Sequence, residues 1–473
     1  MIGAFLCFLA LSMIFPLLVS LYYQDNTTIA FAISLSVTIL SGLLLWKFTP
    51  AGDQIRIRDG FAIVTFSWIF MAAFGSLPFL ISGEIPSVTD AFFETMSGFT
   101  TTGATILEDI EVVPRALLFW RSLIQWLGGM GIIVLSVAVL PLLGVGGMQL
   151  FRAEVPGPTK DKLSPRVRDT AKILWGVYVL ISAVETVLLM IGGLNLYDAL
   201  CHTFTTMATG GFANYNASIG HFQNPFVQYV FIVFMFMAGV NFSLHFRMLK
   251  GDLRACWRDS EFLFYVTLLL IGTLVLGLAT GFSSTFSTTG ETIRHSLFQS
   301  VSIMTTTGYV TADYETWPYV AQALIFLFMF VGGCAGSTGG SIKVVRLLLL
   351  LKATISEIKK LIHPHGVIPV RIGGKPVSRD IISNILGFFF LYILIFYVGF
   401  LVMSALGLDM RSALSSVAAT LGNVGPGFGV IGPTHTYATI PAAGKWFLTF
   451  LMLTGRLEIF TVIILFSRSF WKV

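Results

Sequence analysis

Met304-Thr305-Thr306-Thr307-Gly308-Tyr309-Val310, MTTTGYV, lies between long apolar runs. Three threonines followed by Gly-Tyr are poor helix material, because β-branching stiffens the side chains and Gly loosens the backbone. Similar stretches occur on both sides of it: FTTTGAT at 99–105, MATGGFA at 207–213 and GNVGPGF at 422–428. Aligned without gaps, these bring Gly103, Gly211, Gly308 and Gly425 into register, at separations of 108, 97 and 117 residues. Gly210 is an alternative to Gly211. Gly211-Phe212 is the better match to Gly308-Tyr309, and it leaves Asp90 and Asp198 each thirteen residues before their glycine. A period near one hundred residues marks a repeated structural unit.

Of the 473 residues, 55% are hydrophobic and 11% charged, with a mean hydropathy of +0.83. A soluble chain carries about 25% charged residues. Apolar runs of about 20 residues recur from end to end, the mark of an all-α membrane protein in a lipid bilayer. Ten spans are expected, near 3–22, 27–48, 61–82, 117–143, 171–192, 225–249, 261–281, 320–351, 381–406 and 443–467. The first has no basic leader and no small-residue cleavage site, so it reads as a retained span rather than a signal peptide. Cys7, Cys201, Cys256 and Cys334 form no CxxC pair or zinc cluster and read as small buried hydrophobes. The net charge of +5 falls in the gaps between spans. It reports topology, not a nucleic-acid-binding face.

Each unit reads as span, half-helix, polar turn, span, with Asp90–Thr102 the first half-helix. Two full crossings per unit return the chain to its starting side, so all four units point the same way around an axis along the membrane normal. Inverted-repeat transporters need an odd number of crossings per repeat and are disfavoured. The expected organisation is an N-terminal two-helix hairpin at 1–58 and four parallel units around a central pore at 59–160, 161–255, 256–362 and 363–473. The link at 149–172 carries Arg152, Lys160, Lys162, Arg166, Arg168 and Lys172, and the link at 343–380 carries eight Lys and Arg. The stretch 84–115 has six carboxylates against Arg115 alone. Basic links and both termini are therefore expected on the cytoplasmic side, with the turns opening outward.

Irregular backbone at membrane depth is tolerated where it is buried in protein or lines water. A half-helix directs its partly negative C-terminal end at the turn that follows, and four such ends meeting on an axis favour a cation. Threonine carbonyls and hydroxyls can replace a hydration shell, and Gly allows the torsions this needs. The plainer alternative is four re-entrant loops that only pack the bundle. Recurrence at matched positions favours selective cation conduction. The expected filter is Thr100, Thr101, Thr102 and Gly103; Ala208, Thr209, Gly210 and Gly211; Thr305, Thr306, Thr307 and Gly308; and Asn423, Val424 and Gly425.

On these motifs the chain resembles the superfamily of K⁺ channels and K⁺ transporters, and closely its TrkH/TrkG branch of bacterial potassium-uptake proteins. The resemblance covers about 60–473 for the four units, and the extra hairpin is similar to that of TrkH rather than the shorter KtrB proteins. It implies one filter glycine per turn at Gly103, Gly211, Gly308 and Gly425, with K⁺ held at Thr102, Gly103, Gly211, Thr307, Gly308, Val424 and Gly425. Plant relatives that prefer Na⁺ have serine at the first of these positions, so Gly103 implies K⁺ preference. The fourth turn, GNVGPG, lacks threonine and departs from the pattern.

Gly332–Lys343, GGCAGSTGGSIK, interrupts the eighth span. It lacks the Gly-Lys-Ser/Thr order of a phosphate-binding P-loop. Tight helix packing through small residues is a second reading. The resemblance implies a third, an intramembrane gating loop of Gly332, Gly333, Gly336, Ser337, Thr338, Gly339 and Gly340 with Lys343 at its cytoplasmic end. An intramembrane charge such as Arg456 normally faces a cavity or a partner. A local pair with Glu458 is the simple account, although i,i+2 residues on a helix do not face each other. The family resemblance instead implies that Arg456 faces the pore beneath the filter as an electrostatic barrier. Arg121 and Glu185 are explicable as helix-end or interhelix charges. His363 and His365 read as solvated rather than metal-binding.

The resemblance further implies a homodimer in the bacterial inner membrane, with a cytosolic nucleotide-binding regulatory ring of the TrkA type. No organic cofactor is expected on this chain, only K⁺ as the transported ion. Two rivals stand beside this reading. One is a symporter coupling K⁺ to H⁺ or Na⁺ through Glu185 or Glu458. The other is a lipid-modifying enzyme using Asp198 or His202, although catalysis needs convergent acid, base and nucleophile.

Overall fold

The computed structural model describes residues 1–48, 57–138 and 163–472. Arg152, Lys160 and Lys162 of the first basic link lie outside the described residues, as do the boundary between the first two expected units and the end of the fourth expected span. The side chains of Arg166 and Arg168 are likewise outside.

Seven helices among the described residues are long and apolar enough to cross a membrane: Ile2–Tyr23, Thr28–Phe48, Asp59–Ser82, Arg115–Leu135, Asp169–Ile191, Ser260–Phe282 and Arg379–Ala405. Three of the ten expected spans are not continuous. Pro225–Ala238 and Phe242–Leu249 meet at 103°, and Ala442–Arg456 and Phe460–Phe466 at 114°. The eighth stops as the ten-residue helix Tyr319–Phe328 and resumes as Val344–Ile362 after the Gly-rich loop. Hydropathy sees composition and not direction, so a helix that turns back within the apolar layer scores as a straight one.

The crossings differ in what they face. Arg115–Leu135 is 72% buried and sits inside the bundle, whereas Ser260–Phe282 is 22% buried and presents Leu270, Ile271 and Leu274 outward. An apolar exterior with its backbone bonded within the helix suits lipid. The N-terminal hairpin packs Leu6, Leu9, Met13 and Phe31 into the cluster that holds Trp68, Phe79 and Trp120. In its connecting turn, Asp25 accepts hydrogen bonds from Ser20 Oγ (2.6 Å) and from the Ala116 N–H (2.8 Å), at the start of the Arg115 helix. Burial alone would raise the Asp25 carboxyl, but the bonds from Ser20, Ala116 and Thr27 outweigh it and hold the group below its ordinary value.

Four short helices lie between the crossings: Val88–Phe99, Leu196–Met207, Thr289–Met304 and Met410–Leu421. Each begins with a residue whose side chain accepts from the first-turn N–H groups: Ser87, Asn195, Thr288 (in a capping box with Glu291) and Asp409. These are the residue types that satisfy the orphan donors of a helix start. On the other side of the molecule, the long basic link is more than a connector. Its helix Val344–Ile362 packs Val345 and Leu349 against Val370 and Ile372 of a small hairpin, in which Arg371 pairs with Pro376 and Ile372 with Lys375.

Candidate ion pathway

The four short helices end alike. Thr101, Thr209, Thr306 and Asn423 take left-handed torsions with φ of 51°, 53°, 61° and 53°. Their N–H groups donate three residues back, to Gly98, Thr206, Ile303 and Thr420. The next N–H groups donate five residues back: Thr102 to Ser97, Gly210 to Thr205, Thr307 to Ser302 and Val424 to Ala419, at 2.8–2.9 Å. This is the Schellman closure of a helix, which normally takes Gly at the left-handed position. Threonine there costs roughly 1–2 kcal/mol each. Residues 103, 211, 308 and 425 then take φ of 78°, 73°, 79° and 100°. Gly211, not Gly210, therefore has the torsion that matches the other three.

These glycines also lie against one another's turns. A Cβ at Gly103 would collide with the Gly210 carbonyl oxygen, one at Gly211 with that of Thr307, one at Gly308 with that of Val424, and one at Gly425 with that of Thr102, each closer than 3.0 Å. The contacts run in one direction and close on themselves. All four glycines line a single cavity of about 110 Å³ whose walls come from residues that follow them in sequence. The expected filter residues are thus together, with every threonine among them buried. The Thr100 and Thr102 hydroxyls lie 2.8 Å apart, as do those of Thr305 and Thr307. In the fourth turn Asn423 Nδ2 bonds to Thr102 Oγ1 and to the Met452 carbonyl, both at 2.9 Å. An amide therefore provides the link to the neighbouring turn.

The Gly332–Lys343 loop touches three of these turns. Gly340 N donates to Thr306 Oγ1 (2.6 Å), Thr338 Oγ1 donates to the Met207 carbonyl (3.0 Å), and a Cβ at Gly340 would strike the Gly422 carbonyl. The break between Ala238 and Phe242 completes the loop's bonding. Cys334 N donates to the Gly239 carbonyl and Thr338 N to that of Ala238, while Phe242 N donates to the Gly336 carbonyl. Broken helix and loop satisfy each other's backbone groups, as burial requires. Lys343 Nζ bonds to the Gly339 carbonyl within the loop.

Arg456 is buried and donates through Nη1 to the Thr338 carbonyl at 2.7 Å. The local Arg456–Glu458 pair does not form. Glu458 instead pairs with Arg346, whose guanidinium lies 3.9 Å over the Phe388 ring. The last span breaks just after Arg456. Ile459 (φ 51°, ψ −62°) sits in a tight γ-turn closed by Phe460 N on the Glu458 carbonyl at 2.5 Å.

Other charges singled out in the sequence are placed as follows. Arg121 pairs with Glu94 and Asp90 with Lys445 (2.6 Å), while Glu185 is fully buried in Leu163–Ile191. Asp198 accepts from Asn195, Asn214 and Tyr215, and the His202 ring contacts the Asp198 carbonyl. His363 and His365 are exposed, and the four cysteines are separate thiols. Sequence reading missed Glu261, whose Oε1 accepts from Ala335 N (2.6 Å) and Val345 N (3.2 Å) and so ties both ends of the loop. It also missed the Gly239-Val240-Asn241 break, although Gly followed by the N-capping Asn241 is a legible stop-and-start signal.

The family described as TrkH, cation transport protein, matches residues 24–473. Trk system potassium uptake protein TrkH of Escherichia coli (strain K12) is 44% identical over 470 residues, covering 98% of this chain and 96% of that protein. TrkG of the same organism is 37% identical over 476 residues, covering 100% and 98%. The crystal structure of the potassium transporter TrkH from Vibrio parahaemolyticus aligns with a TM-score of 0.92 at 38% identity, covering 99% of this chain and 98% of that one.

Proposed function

The chain belongs to the TrkH family of cation transport proteins, and from that premise we propose that it takes up K⁺ through a filter of four turns gated by the Gly332–Gly340 loop. The observation that carries the reading is the closed cycle in which each of Gly103, Gly211, Gly308 and Gly425 rests against a carbonyl of the next turn. A cycle of carbonyl-bearing turns at four helix C-termini offers a dehydrated cation oxygen ligands and a favourable field. The four span–turn–span units then surround one pore. Arg456, bonded to the Thr338 carbonyl, places its guanidinium beside the loop and opposes cation passage while the loop is in place.

Channel-like conduction is favoured over coupled transport because one of the two candidate carboxylates, Glu458, is committed to Arg346. In this reading the protein is a homodimer in the bacterial inner membrane with both termini cytoplasmic. The folded link from Val344 to Pro376 is the docking face for a TrkA-type regulatory ring. The test is ion flux in K⁺-loaded liposomes containing the purified chain, wild type and Gly308→Ser. Flux of K⁺ and Rb⁺ well above Na⁺ is expected, and a Cβ facing the Val424 carbonyl should reduce that preference by about tenfold or more. A preference unaltered by the substitution would remove the filter from this site. A current whose reversal potential follows the pH or Na⁺ gradient would establish coupling instead.

A further inference from the structure

We infer that the buried Arg121–Glu94 ion pair is a positioning pair for ion selectivity, clamping the first and second turns just beyond their glycines; the inference rests on the filter reading above. Arg121 stands on the inner helix Arg115–Ala138 and Glu94 on the first short helix. Their side chains are 1% and 0% exposed, with Nε to Oε1 at 2.7 Å. Neither group is used up by the other. Glu94 also accepts from Thr105 Oγ1 (2.9 Å) and from Ile106 N (2.9 Å), two and three residues past Gly103. Arg121 Nη1 donates to the Ala213 carbonyl (3.2 Å), two residues past Gly211, and its guanidinium lies 3.9 Å over the Phe212 ring between them.

One helical turn further on, Gln125 brackets the same glycine from the other side. Its Nε2 donates to the Gly210 carbonyl (2.8 Å) and its Oε1 accepts from Phe212 N (3.2 Å). The Gly210 carbonyl is the one against which Gly103 rests. Arg121 and Gln125, four residues apart on one helix face, thereby hold the second turn from Gly210 to Ala213. Glu94 holds the first. In the third turn Ser302 Oγ donates to the Tyr309 carbonyl (2.6 Å); in the fourth Tyr437 OH donates to the Gly425 carbonyl (2.7 Å), and Glu315, paired with the half-exposed Arg411, accepts from Gly429 N (2.8 Å).

An arginine beside a cation path is counterproductive unless its charge is balanced. Glu94 cancels the charge and leaves the geometry of the fork. Arginine suits this role because a planar guanidinium reaches a carboxylate and a carbonyl at once, which a lysine ammonium at the same place cannot do with fixed angles. A buried pair replaced whole by apolar groups of similar volume is commonly tolerated by the fold, whereas removal of one partner is not. The paired replacement therefore separates positioning from stability.

The experiment compares wild type, Arg121→Met/Glu94→Met, Arg121→Lys and Gly308→Ser as full-length protein in liposomes. It reads the K⁺/Na⁺ permeability ratio, alongside size-exclusion profile and thermal transition. The paired replacement is expected to fold and to conduct K⁺ while its ratio falls roughly three- to tenfold, the scale of one or two lost hydrogen bonds. Arg121→Lys should retain K⁺ flux with an intermediate ratio. A folded, conducting paired variant with the wild-type ratio overturns the inference and leaves the pair as structural support. If Gly308→Ser also leaves the ratio unchanged, the filter reading fails with it; if Gly308→Ser lowers the ratio and the paired variant does not, only this inference fails.

Discussion

Single residues decide what the turns can do. Gly211 outranks Gly210 because the backbone has φ of 73° there and the neighbouring Thr307 carbonyl leaves no room for a Cβ. The Gly-Phe and Gly-Tyr match already favoured that choice. Arg456 was visible as a costly intramembrane charge, but its acceptor, the Thr338 carbonyl, is 118 residues away and no local pattern encodes it. Arg456→Gln should raise K⁺ flux through the purified chain by about tenfold, since a hydrogen bond to a charged group is worth about 1.5–3 kcal/mol and the positive charge goes with it. Rubidium uptake into liposomes checks this, and a flux at or below wild type would remove Arg456 from the gate.

At the scale of elements, the short helices were legible because each precedes a turn that recurs at matched positions; their caps are a further local signal. Ser87, Asn195, Thr288 and Asp409 each stand one residue before a helix start. The bend near Leu457 was not legible, because an apolar run reads the same straight or folded back; the one near Gly239 left only Gly239 and the capping Asn241 as its sign. Asp409 offers a pH test of the fourth short helix. Hydrogen bonding from Ser412, with help from the Arg411 N–H, outweighs burial and holds its carboxyl below the ordinary value. A carboxyl lowered in the folded state stabilises fully above the unfolded value of about 3.9 and loses that contribution as pH falls through the lowered one. The melting temperature in detergent should therefore drop more steeply below about pH 4 in wild type than in Asp409→Asn, which still caps but does not titrate. Parallel profiles for the two would remove Asp409 from the acid limb.

Across the whole molecule, the near-hundred-residue spacing of the turns was readable because the four short helices close in the same way. What joins distant segments was not. Glu94 with Arg121, Arg346 with Glu458 and Asp90 with Lys445 are pairs between distant segments, and a single sequence carries no sign of who meets whom. The N-terminal hairpin is attached through Asp25 on the Ala116 N–H. Asp25→Ala should lower stability by about 1–3 kcal/mol through loss of that bond and those from Ser20 and Thr27. It should leave the K⁺/Na⁺ ratio unchanged, because the hairpin lies outside the four turns. Thermal transitions and liposome flux measured on one preparation check both halves, and a changed ratio would tie the hairpin to the pathway.

The four glycine–carbonyl contacts close a circle made from one polypeptide. In a pore assembled from identical subunits, every substitution arrives in all quadrants together. Here each corner has its own position in the chain, so a residue at 103, 211, 308 or 425 can change while three neighbours keep their shape. On the proposed filter reading, ion preference becomes a quantity with dosage: one, two, three or four altered corners form a ladder of variants. Natural selection can walk that ladder a single rung at a time.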